Sequence, residues 1–201
     1  CDRRQRQMCI ETGSALLFYA GWELIIVGLL CVLFAFLYTT GPYPLSYNGW
    51  GDVLVIVFFG FVPVGGTYYV QALTWTSDTT VASLICGLLI DTLLVVNNYR
   101  DREADARSGK RTVIVRFGEK FGRYLYLMLG VAASLLCFWF FFEGHLFAAL
   151  LPLLYLIPHV LTWRRMVQIH SGKKLNSILG ETSRNMLLMG ILLSIGFLIR
   201  H

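Results

Sequence analysis

The 201-residue chain is 56% hydrophobic, 14% aromatic and only 14% charged, against about 25% charged residues in a soluble domain. Its apolar residues are bunched into runs of 15 to 21, close to the roughly 20 that cross a bilayer as a helix. That patterning excludes a soluble globular enzyme, a disordered chain and a β-barrel. The net charge of +5 does not point to nucleic acid, because basic residues in a membrane protein mark its cytoplasmic loops. The expected fold class is all-α, a polytopic transmembrane helical bundle in a lipid bilayer.

In chain order, residues 1–11 form a polar leader without the apolar core of a signal peptide. The start at Cys1 reads as a fragment or a processed product, and residues 12–21 (TGSALLFYAG) read as the remnant of an earlier helix. Six spans follow, at roughly 22–38, 52–72, 80–97, 124–142, 146–163 and 185–199. Residues 12–201 are thus expected to form one membrane domain. Cys31, Cys86 and Cys137 fall inside apolar runs, where a free Cys acts as a small hydrophobe. Cys1 and Cys9 have no CxxC or His partner that would suggest zinc.

The links between spans are unequal. Residues 39–51, TTGPYPLSYNGWG, form a Gly/Pro/Tyr loop, and 73–79 and 143–145 are short turns. Eight of the 17 Lys and Arg lie in 98–123 and five in 164–184, so both segments are expected on the cytoplasmic side, with 39–51 beside them. The leader carries Arg3, Arg4 and Arg6, yet only one clear span separates it from 39–51. An additional helix remnant at 12–21 resolves that parity.

The segment DTLLVVNNYRDREADARSGKRTVIVRFGEK, residues 91–120, carries the chemistry. At about 100° per residue, Asp91, Asn98, Asp105, Asp101 and Asn97 share roughly a third of one helix face. Asp101 and Asp105 are spaced i, i+4, where like charges repel by a few tenths of a kcal/mol. A bound divalent cation would reverse that sign, and hard oxygen ligands suit Mg²⁺ bridged to a substrate's phosphates. Lys110, Arg111 and Arg116 follow, a basic cluster suited to diphosphate oxygens. The plain alternative is a solvated loop with weak surface ion pairs. Against it, Asn97 and Asn98 replace apolar residues at the helix exit. Asp91 lies inside the span, where a carboxylate costs about 2.5–3.5 kcal/mol on insertion scales, although a helix–helix hydrogen bond would also account for it. The GKRT string is not a P-loop, since Ala104 stands where the first Gly would be.

The string NNYRDREADARSGKRT resembles the second aspartate-rich motif, N-[ND]-x-R-D-x-x-x-D, of the UbiA superfamily of intramembrane prenyltransferases. YTTGPYPLSYNGWGD (38–52), FFGFVPVGGTYYVQ (58–71) and NNYRD…GKRTVIVRFG (97–118) are similar to the branch that prenylates 1,4-dihydroxy-2-naphthoate in menaquinone biosynthesis. The resemblance implies the UbiA-type helical fold and transfer of a polyprenyl group from polyprenyl diphosphate to the naphthoate, giving demethylmenaquinone, diphosphate and CO2. It implies Asn97, Asn98, Arg100, Asp101 and Asp105 as catalytic positions, with Mg²⁺ on Asp101, Asp105 and Asn97. It also implies diphosphate binding by Lys110, Arg111 and Arg116. The family's first aspartate motif should precede the present N-terminus, so the first helices are expected to be missing. A prenyltransferase for another aromatic acceptor, an inactive fragment and an ion transporter using Asp91 are the alternatives. The setting implied is a bacterial cytoplasmic membrane, multi-pass, with the active site facing the cytoplasm. Tyr68 and Tyr69, with Tyr43 and Tyr47, could line the acceptor side or belong to an interfacial aromatic belt. His159, after Pro158, reads as a satisfied helix-break residue, and Gly65–Gly66 as close packing.

Overall fold

The computed structural model describes residues 21–199. The leader 1–11 and, apart from Gly21, the expected remnant 12–21 lie outside the described residues. Helices account for every regular element among the described residues: α1 (Glu23–Thr39), α2 (Gly51–Ala72), α3 (Ser77–Arg107), α4 (Val113–Phe117), α5 (Glu119–Phe142), α6 (Leu146–Ile169) and α7 (Leu175–Leu198). Five of them, α2, α3, α5, α6 and α7, are long and apolar enough to cross a membrane. The 17-residue α1 corresponds to the first expected span and is shorter.

The main departure from expectation is at the helix ends. α3 runs ten residues beyond the expected exit at 97, and α7 begins ten residues before the expected entry at 185. Hydropathy registers only the part of a helix that lies in lipid, whereas the helix continues wherever its residues tolerate it. At 31 residues α3 is about 46 Å long, against a hydrocarbon core of about 30 Å. Its charged turns therefore project from the apolar slab as a folded extension. Thr76 starts this helix by accepting a hydrogen bond from Thr79 N–H at 3.2 Å. The chain leaves it through Gly109, whose φ of +78° suits a residue without Cβ.

α3 is the central element, packed against α2 on one side and against α5 and α7 on others. Small residues let α2 approach closely: a Cβ on Gly60 would lie 2.5 Å from the Ser83 carbonyl oxygen, and one on Gly87 2.9 Å from Ile56 Cα. Close backbone approach lets van der Waals packing hold helices together in lipid. Residues 56–65 of α2 are π-helical and include Pro63. Gly65 ends that segment against the Trp75 ring, so packing and a local break coincide there. α6 is interrupted at Leu151–Tyr155 by a 3-10 turn with Pro152 near its start. His159, fully buried, follows it as a satisfied residue. Its Nδ1 lies 2.9 Å from Tyr155 Oη, and its ring stacks on Tyr126 with centroids 4.7 Å apart.

The antiparallel order brings the C-termini of α1, α3 and α6 and the N-termini of α2, α5 and α7 to one end. The 40–50 loop docks there on the segment after α3: Arg111 N–H donates to the Tyr47 carbonyl at 2.8 Å. The expectation that 39–51, 98–123 and 164–184 share a side is met. The opposite links, 73–76 and 143–145, contain no Lys or Arg.

Replacing Gly87 by Val should force α2 off α3 and destabilise the fold by about 1–3 kcal/mol. Thermal unfolding in detergent should show a midpoint several degrees below that of the unchanged protein.

Candidate active site

The last three turns of α3 carry the polar residues, and their neighbours divide them into two groups. On the α7 side, Arg100 folds back along its own helix. Its Nε and Nη2 donate to the two oxygens of Asp101 at 2.8 and 2.6 Å, and Nη2 also donates to Asn97 Oδ1 at 2.7 Å. The remaining Nη1 reaches Asn176 Oδ1, in the first turn of α7, at 2.9 Å. One guanidinium thus fixes Asp101 and Asn97 and ties α3 to α7. Asp101 is still 39% exposed, so its carboxylate faces outward from that clamp.

On the other side are Asn98, Asp105 and, seven residues before Asn98, Asp91. Asn98 is buried and lines a narrow cleft with Asp52, Tyr38, Ser46 and Lys110. Lys110 Nζ lies 3.5 Å from Asp105 Oδ1. Asp105 is only 13% exposed, and its Oδ2 is buried with no hydrogen-bond partner. Asp91 is 1% exposed and its Oδ1 is likewise without a partner, one turn along α3 from Gly87 on the stripe that faces α2.

A buried carboxylate oxygen without a partner is costly and is the kind of group that a cation satisfies. Asp101 and Asp105, one turn apart, offer hard oxygen donors of the type a divalent ion such as Mg²⁺ takes. Among the described residues no group of three or more His, Cys, Asp or Glu converges on one point. The two aspartates therefore fit part of a metal's shell, the share that Mg²⁺ takes from protein when waters and phosphate oxygens supply the rest.

Asn97 opens onto a cavity of about 450 Å³ walled by Val55 and Phe59 of α2, Ile90 and Leu94 of α3 and Leu179 and Ser183 of α7. A second cavity, about 780 Å³, shares Ile90 and Ser183 with it and continues along α3 and α7 as far as Ala82 and Leu198. An apolar groove thus leads away from the polar turns. The profile of the UbiA prenyltransferase family matches residues 8–195. The chain belongs to the UbiA prenyltransferase family. It is 38% identical over 197 residues to the 1,4-dihydroxy-2-naphthoate octaprenyltransferase of Haemophilus influenzae, covering 94% of this chain and 60% of that protein. The enzyme of the same name from Mycobacterium tuberculosis is 44% identical over 119 residues, 59% of this chain and 40% of the relative. A UbiA prenyltransferase domain-containing protein 1 from Dictyostelium discoideum is 30% identical over 162 residues, covering 81% of this chain and 48% of that protein. The chain thus spans about 60% of the length of the Haemophilus relative. No solved structure matches.

Within this UbiA chain the other expected residues separate. Arg111 is exposed, and among the described residues no hydrogen bond or ion pair joins its side chain to Asp101 or Asp105. Arg116 has a task the sequence did not suggest: its Nη2 donates to the Asn48 carbonyl at 2.8 Å and clamps the 40–50 loop. Tyr68 and Tyr69 do not join the site. They lie 16 and 17 residues beyond Asp52 on α2, about 24 Å away along the helix and at its opposite end, because α2 runs away from the aspartate turns. That end of α2 is where an interfacial aromatic belt would lie. Tyr43 and Tyr47 sit in the docked loop and are exposed.

Three neighbours were missed. Asp52, in the first turn of α2, was visible only as an acid just after a Gly-Trp-Gly string. Asn176 was hidden inside a segment that reads as a loop. Glu119 receives Arg102 Nη2 at 3.2 Å, pairs closely with Arg123 and lies 3.0 Å from His170 Nδ1. It thereby binds α3 to α5 and to the turn before α7.

Substituting Arg116 by Gln should release the loop. Amide hydrogen exchange at residues 45–50 should accelerate about 5-fold, which corresponds to roughly 1 kcal/mol for one exposed charged hydrogen bond.

Proposed function

We propose that this chain carries the aspartate half-site of a Mg²⁺-dependent membrane prenyltransferase. In this reading a polyprenyl group passes from its diphosphate to 1,4-dihydroxy-2-naphthoate, with release of diphosphate and CO2, giving the quinol form of demethylmenaquinone, its two ring hydroxyls retained. One observation carries the proposal: two aspartates one turn apart, one with an unpartnered buried oxygen, stand beside Lys110 at the head of an apolar groove.

The chemical task is to break an allylic C–O bond and let an aromatic carbon capture the carbocation. Negative charge then grows on the departing diphosphate, and preorganised positive charge in a water-poor site is usually the largest catalytic effect. Mg²⁺, held by Asp101 and Asp105 with Asn97 beside them, would supply charge neutralisation for the diphosphate oxygens. Arg100 fixes both oxygens of Asp101 in one orientation and links that carboxylate to Asn97. Lys110 contributes a mobile point charge from its place beside Asp105, and the exposed guanidinium of Arg111 can grip phosphate oxygens in bidentate fashion. The groove takes the polyprenyl tail. From Asn97 to Ala82 it follows α3 for about 22 Å, and its apolar walls keep water from the ionised allyl group.

The charge distribution supports an active site facing the cytoplasm of a bacterial inner membrane. Thirteen of the 17 Lys and Arg lie in the two segments at the aspartate end, 98–123 and 164–184 (8 + 5). The links 73–76 and 143–145 at the other end hold none.

Asp101→Asn and Asp105→Asn, each assayed in the purified membrane enzyme with a polyprenyl diphosphate, the naphthoate and a Mg²⁺ titration, should lower kcat/KM by about 10²-fold or more. Activity within threefold of the unchanged enzyme for either variant would remove the assignment, as would full turnover in EDTA.

A further inference from the structure

A second polar site lies on the lipid-facing side of the bundle, between α6 and α7. We propose that this furrow seats one anionic phospholipid, its phosphate held by Arg164 and Arg184. The furrow encloses about 470 Å³. Its floor is a buried hydrogen-bonded chain: Asn185 Nδ2 donates to Thr162 Oγ1 at 2.9 Å, and Thr162 Oγ1 donates to Glu181 Oε2 at 3.4 Å. Arg165 Nη1 completes it on Glu181 Oε1 at 2.6 Å. The one acid of the furrow is therefore neutralised from within.

Arg164 and Arg184 complete the rim, both exposed. Among the described residues no carboxylate lies within 4.0 Å of either guanidinium. Arg164 is five residues before the end of α6 and Arg184 nine residues after the start of α7. They stand about 8 and 14 Å inside those ends, where headgroups give way to acyl chains. At the level of the headgroups the anion available to these two guanidinium groups is a lipid phosphate. Basic pockets between helices on the cytoplasmic side recognise anionic headgroups by this means.

The residues below the rim match the rest of such a molecule. On α6 the exposed residues are Leu154, Ile157 and Leu161, spaced by three and four toward Arg164. On α7, Leu187, Ile191 and Ile195 follow Arg184 at steps of three, four and four and are exposed, along the edge of α7 that also borders the cavity against α3. Each stripe is one helix face, apolar along its length with Arg at its head. Two acyl chains lying along these stripes place the shared phosphate between the two arginines.

The test is native mass spectrometry of the intact protein from detergent, titrated with phosphatidylglycerol or phosphatidylcholine. One phosphatidylglycerol should persist on the unchanged protein, and the R164Q/R184Q variant should bind it at least 10-fold more weakly. Equal retention by the variant, or equal retention of phosphatidylcholine, would overturn the proposal. Displacement by millimolar inorganic phosphate would do the same, by making the site one for a free anion. A photoactivatable phosphatidylglycerol added to the unchanged protein guards against misfolding of the variant. Adducts should map to 154–168 and 184–195, and adducts confined to other helices would refute the site.

Discussion

The bilayer's thickness is the constraint on which the rest of this structure depends. A helix that ended where the lipid ends would leave the aspartates in an irregular loop, without fixed spacing. By continuing about 16 Å past the apolar slab, α3 carries the rigidity of a membrane span into water. Asp101 and Asp105 inherit a one-turn separation from a backbone that is anchored over its first twenty residues. The same overshoot lets Arg100 reach Asn176, because α7 also begins outside the slab.

Electrostatics at that end is arranged as opposed pairs with one gap. Arg100 holds both oxygens of Asp101, which stays 39% exposed, whereas Asp105 has only Lys110, at 3.5 Å, for one of its oxygens. Glu119 is shared among Arg102 of α3, Arg123 of its own helix and His170 of the turn before α7. The structural pairs are tight and the functional one is loose. A ligand could enter at Asp105 without dismantling a helix contact, which is not true at Glu119.

Much of this was legible in the sequence, for physical reasons that also explain the rest. Apolar runs near the length of a bilayer span are a strong signal, so every long helix was anticipated in its order, whereas the five-residue α4 was not. The ends were not, because Asn97–Arg107 and Leu175–Arg184 are helical by propensity and packing but polar in composition. Helical projection grouped Asn97, Asn98, Asp101 and Asp105 correctly on one side of α3. It could not show that the group straddles the boundary between α2 and α7, which sends Asn97 into the groove and Asn98 into the cleft with Asp52. The places of Arg116 and Tyr68 were not legible for a common reason. Each depends on which end of α2 meets the aspartate turns, and that is a tertiary fact without a local pattern.

The 40–50 loop meets the α3–α5 segment through its own main chain: the carbonyls of Tyr47 and Asn48 receive the bonds from that segment. Gly49, at a φ of +79°, would bring any Cβ to 3.0 Å from the Arg111 carbonyl oxygen. Such docking is blind to most side chains and strict about length. Tyr43, Tyr47 and Trp50 can change identity without moving the loop, whereas one residue inserted between Ser46 and Gly49 would put both carbonyls out of phase with their donors. The loop's chemistry is thus free to diversify while its position is not, the condition under which a surface can acquire a new selectivity and keep its scaffold.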